Sequence, residues 1–138
     1  MSDAPGTAAA FPVRDGEDPW SPAEVDALTC HLHAEVARLT AELHSADADL
    51  TELLRHSGDG AGDDQADSGS SAVEREQELT LVNNTRDLLE QSERALERIA
   101  AGTYGVCDAC ASAIGKARLQ AFPRALACVE CKQREERR

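Results

Sequence analysis

Aromatic residues are scarce in this sequence: its 138 positions hold only Phe11, Trp20, Tyr104 and Phe122. A thick globular core of that size draws on more aromatic bulk. The apolar 41% is mostly Leu, Ala and Val, which suits narrow helical seams. Long apolar runs are also missing. Nothing approaches the roughly 18 residues that a membrane span requires. The first fifteen residues lack the basic and apolar blocks of a secretory signal, so the expected location is cytoplasmic. Basic residues are few, 14 against 26 acidic ones, for a net charge of −12. They are also unevenly placed. Residues 1–106 hold 7 basic and 22 acidic side chains, a net of −15, while residues 107–138 hold 7 and 4, a net of +3. So acidic a body repels nucleic acid phosphates, and direct sequence-specific DNA binding is not expected.

The residues that are present fall into three parts. Residues 1–20, with Pro5, Pro12 and Pro19 and no periodicity, read as a disordered leader, with Trp20 able to pack onto the next segment. Ser21-Pro22-Ala23-Glu24 then combines a capping box with proline at the first helical position. Val25, Thr29, Leu32, Val36, Leu39, Leu43, Ala46, Leu50 and Leu53 recur at alternating spacings of four and three, a heptad seam. This predicts a helix over 21–57, about 54 Å long. Residues 58–71 hold four glycines and four aspartates with no basic residue, and read as a loop. A second capping box, Ser71 to Glu74, predicts a helix over 72–101. Its seam is Val82, Thr85, Leu89, Ser92, Leu96 and Ile99, broadened by Leu81, Leu88 and Ala95, and Gly102 ends it. Neither seam is buried alone. An antiparallel hairpin buries both, and an intermolecular coiled coil is the alternative.

The remaining segment, 102–138, carries the chemistry. Cys107-Asp108-Ala109-Cys110 and Cys128-Val129-Glu130-Cys131 are two CxxC pairs separated by seventeen residues. That spacing matches a four-thiolate Zn²⁺ site, because each CxxC turn aims two sulfurs at one centre. With every position filled by protein, such a metal is structural rather than catalytic. A pair of redox CxxC motifs is the rival, but it calls for a βαβ context that is not visible. A disulfide framework suits a secreted chain better. Cys30, beside His31 and His33, occupies helix positions that diverge, and it reads as a bystander. His44 and His56 are expected to face solvent.

The stretch Gly102-Thr-Tyr104-Gly105-Val-Cys107-Asp-Ala-Cys110, with Ile114-Gly115, Arg118-Leu119, Ala121-Phe-Pro123 and Cys128-Val-Glu-Cys131-Lys132, resembles the zinc finger of the DksA/TraR family. The resemblance covers residues 60–135 in detail and the preceding helix in architecture. It implies a non-enzymatic regulator that binds bacterial RNA polymerase, its hairpin entering the secondary channel to modulate initiation. The family's tip motif, Asp-x-x-Asp-x-Ala, corresponds to Asp64-Gln-Ala-Asp67-Ser-Gly69, with glycine in place of alanine. The family's site for the alarmone guanosine tetraphosphate keeps Lys132, whereas Asn84, Gln91 and Phe122 stand at its other basic positions. A weak alarmone response is therefore expected. Ala111 stands where the family commonly has glycine, and a left-handed backbone there costs alanine about 1 kcal/mol.

The expected fold is all-α: a long antiparallel coiled-coil hairpin, then a small C4 zinc finger and a short C-terminal helix, as a monomer. Two functions from other classes stay open, a zinc-finger nucleic-acid-binding or adaptor protein and a thiol oxidoreductase.

Overall fold

The computed structural model describes residues 11–59 and 65–137, with side chains over 11–55 and 72–137. Four helices are arranged in the order α1 (Pro22–Asp59), α2 (Gln65–Ala101), α3 (Lys116–Ala121) and α4 (Val129–Glu136). No strand forms among the described residues, only an isolated antiparallel bridge between Val106 and Ala113. Helix α1 begins at the first capping box. Ser21 N–H donates to Glu24 Oε1 at 2.9 Å, and Glu24 N–H donates to Ser21 Oγ at 3.1 Å. Both donors would otherwise lack an intrahelical partner.

The chain divides into two compact units, with boundaries inside the long helices rather than at Gly102. One unit joins the residues up to Val36 with those from Glu90 onward. The other is Ala37–Leu89.

In the first unit, Leu28 and Leu32 of α1 and Ala95 and Ile99 of α2 share one buried cluster with Tyr104, Ile114 and Leu119. Phe11 and Trp20 belong to the same cluster, each only 3% exposed. Residues 11–20 are therefore not a disordered leader. Their two aromatic side chains are anchors that no local periodicity announces. Leu28 also lies outside the heptad seam, because the cluster here is wider than a two-helix contact.

In the second unit the seam is narrow. Leu39, Ala46, Val82 and Thr85 are buried, while Leu43, Leu50, Leu53 and Leu89 are half-buried. Asp47 and Arg86 pair at 3.9 Å across the two antiparallel stretches. Leu81, expected to broaden the seam, is 49% exposed, because it falls beside the stripe rather than on it. Helix α2 starts at Gln65 rather than near Ala72. The intervening residues contain one glycine and no proline, so a helix secured elsewhere by packing extends through them at a cost of about 1 kcal/mol. The second capping box therefore lies within a helix instead of opening one.

Candidate metal centre

The first CxxC turn is built by backbone strain and short-range bonds. Gly105 and Ala111 take positive φ, +96° and +65°, on either side of Cys107 and Cys110. Cys107 N–H donates to Ser112 O at 2.8 Å and Ala111 N–H to Cys107 O at 3.0 Å, which closes the knuckle. Ala111 is the only non-glycine residue with positive φ among the described residues. The second CxxC turn opens α4. Cys128 is its N-cap, and Cys128 Sγ accepts from Cys131 N–H at 3.5 Å. The turns are tied together, since Cys107 Sγ accepts from Cys128 N–H at 3.3 Å and Asp108 N–H donates to Leu126 O at 2.9 Å.

This brings all four sulfurs, Cys107, Cys110, Cys128 and Cys131, within 4.8 Å of one another. Tetrahedral zinc with bonds of about 2.3 Å requires sulfur–sulfur edges of about 3.8 Å. The Cys110–Cys128 edge is 3.8 Å. Burial pushes the Cys107 thiol up, but the amides of Cys128, Cys110 and Ala109 outweigh it and bring it down to about 6. The Ser112 amide and hydroxyl hold Cys110 below its ordinary value. Cys131 goes the other way, pushed up to about 12 by the neighbouring Cys128 sulfur and by burial. So crowded a set ionises fully only around a cation, which is what a divalent metal supplies. The donor set and its spacing fit zinc.

Two further residues hold the knuckle. Arg98, in the last turn of α2, donates from Nη1 to Val106 O at 3.1 Å and pairs with the Asp108 carboxylate inside the first CxxC. Tyr104, 1% exposed, donates its hydroxyl to Pro123 O at 2.8 Å and so links the segments before each cysteine pair. Cys30 and His44 are exposed and form no part of the cluster. His56 and Asp64 lie outside the described side chains. Asp67 and Gly69 fall in the first turns of α2, a backbone placement only.

Residues 102–137 match the family model of the prokaryotic dksA/traR C4-type zinc finger. The chain is also similar to the solved structure of the transcription factor DksA2 from Pseudomonas aeruginosa. Identity is 32% and the TM-score 0.66, and the match covers 84% of this chain and 85% of that one. The chain belongs to the DksA/TraR family. Zinc is its cofactor, and the four clustered cysteines fit it. Among curated relatives, the RNA polymerase-binding transcription factor DksA of Caulobacter vibrioides is 41% identical over 75 residues, 54% of this chain and 53% of the relative. General stress protein 16O of Bacillus subtilis is 36% identical over 80 residues, 58% of this chain and 49% of that one. The matches thus span about half the length of these relatives. No helix of the described residues is long and apolar enough to cross a membrane.

All four clustered cysteines are legible in the sequence, and so is Trp20 packing onto the segment that follows, but neither Arg98 nor the other contacts of residues 11–20 were expected from it. For Arg98 a signal existed: a cation in the last turn of a helix, ten residues before an aspartate that a CxxC turn holds in place.

Proposed function

We propose that this DksA/TraR protein is a non-enzymatic, cytoplasmic regulator that binds bacterial RNA polymerase as a monomer and modulates transcription initiation. The observation that carries this reading is the similarity to DksA2 over 85% of that chain, joined to an intact C4 zinc site. The finger is a scaffold in this reading, since a four-thiolate site leaves no position for an activated water. The acting groups are the carboxylates of Asp64 and Asp67, delivered through the secondary channel towards the catalytic metal. Negative charge with no neighbouring cation acts at a distance on a metal or a basic cluster. Gly69, in place of alanine, tunes the strength of that effect.

A groove of about 690 Å³ in the first unit is lined by Gln91, Arg118, Phe122, Arg124 and Lys132, among others. Phe122 is 57% exposed there, and Lys132 pairs with Glu135 at 3.3 Å. With Gln91 and Phe122 at family alarmone positions, and Asn84 at a third, regulation proceeds with little help from guanosine tetraphosphate. The test is a pull-down with purified RNA polymerase, then mapping of cross-links from position 64. Cross-links inside the secondary channel support the reading. Binding to free DNA with no binding to polymerase overturns it.

A further inference from the structure

We propose that residues 11–20 are a latch for the zinc site, so that docking of this segment and metal binding strengthen each other. The segment touches Tyr104 ahead of the first cysteine turn, Glu130 within the second, and the helix between them. Phe11 and Trp20 pack edge-on against Tyr104, with ring centroids 5.7 and 6.2 Å away. Tyr104 in turn bonds the chain just before the second cysteine pair. Arg14 lies 3.6 Å from Glu130, a residue inside that pair.

The polar half of the latch sits on α3, which connects the two CxxC turns. Its N-cap, Gly115, has no side chain with which to cap the helix. Glu17 does so instead, from 99 residues away in sequence. Its carboxylate accepts from Lys116 N–H at 2.8 Å and Ala117 N–H at 3.0 Å, and from Arg14 N–H at 2.8 Å. Gly115 has φ +114°, which other residues rarely adopt, and a Cβ there would stand 3.1 Å from Arg14 Cδ, so the segment lies close against this glycine. Lys116 closes the arrangement. Its Nζ donates to Asp18 O and Pro19 O at 3.4 and 3.3 Å, pairs with Glu24 at 2.8 Å, and stands 5.6 Å from the Trp20 ring centre.

Every latch partner in the finger lies on backbone that zinc bound at the four cysteines would hold in place. Without zinc the two turns lose their common centre, and α3 loses the ends that fix it. The amides facing Glu17 and the ring facing Phe11 then disperse, and the latch detaches. Linkage makes the effect reciprocal: a weakened latch loosens zinc by the same factor.

The test uses the full-length chain and competition against a chromophoric zinc chelator. Glu17→Gln, which preserves shape, and Phe11→Ala should each weaken zinc binding roughly fivefold or more, the lower end of ordinary coupling. Leu39→Ala, a core change in the other unit, should leave zinc affinity unaltered. Trp20, the single tryptophan, reports the reverse direction. Stripping zinc should shift its emission to the red and open it to an aqueous quencher, and restoring zinc should reverse both. Zinc affinity within twofold of the parent for both Glu17→Gln and Phe11→Ala overturns the latch, and so does unchanged Trp20 emission after zinc is removed.

Discussion

Three of the four aromatic residues are buried in the unit that holds the cysteines, and none lies between Ala37 and Leu89. The same contrast holds for left-handed backbone. Among the described residues, every positive φ belongs to the first unit: Gly16, Gly102, Gly105, Ala111 and Gly115. The first unit builds irregular turns and holds them with metal, stacked rings and long-range hydrogen bonds. The second uses regular helix and a thin seam of aliphatic side chains. Such a seam suffices because helical backbone satisfies its own hydrogen bonds, so the unit needs little more than one buried stripe. Irregular backbone needs an outside anchor for almost every turn.

The comparison is most easily broken at the cysteines. Cys107→Ser should abolish zinc binding and unfold residues 103–131, because structural zinc supplies on the order of 10 kcal/mol to so small a module. Most helical circular dichroism should survive, since the second unit contains none of the ligands. Metal analysis together with far-ultraviolet dichroism checks both halves of that expectation. The converse experiment is Leu39→Ala. Leu39 is 1% exposed, and its truncation should cost about 2–4 kcal/mol in a urea titration while zinc content stays at one per chain. A smaller effect sharpens the account of strain. Ala111→Gly relieves a left-handed alanine at φ +65° and should stabilise the finger by about 0.5–1 kcal/mol, the relief of strain exceeding the added chain entropy. Thermal unfolding of the zinc-loaded chain measures it.

Much of this was legible in the sequence because it was local. The four-and-three spacing from Leu32 to Leu53 marks a buried stripe directly, and two CxxC pairs name the ligands before any fold is known. The strain at Ala111 was legible too, through the resemblance, because the family commonly has glycine there. The role of residues 11–20 was not. Glu17 meets its amides 99 residues further along the chain, and a lone carboxylate in a proline-rich stretch carries no periodic signal. The start of α2 was hidden for a different reason. Glycine, serine and aspartate are common in loops, yet packing elsewhere along a helix lets it extend through them. Exposure of Leu81 comes from the same narrowness of the seam, which composition alone does not reveal.

The central functional claim rests on the carboxylates of Asp64 and Asp67. The measurement that tests it most directly compares the parent with an Asp64→Asn, Asp67→Asn double variant in reconstituted transcription, alongside binding to RNA polymerase. Folding stability should change by no more than about 0.5 kcal/mol, as surface substitutions usually do. The variant should stay zinc-loaded and bind polymerase as the parent does, yet no longer alter the lifetime of open complexes. If it regulates initiation as well as the parent, the carboxylates are not the acting groups and the account is contradicted.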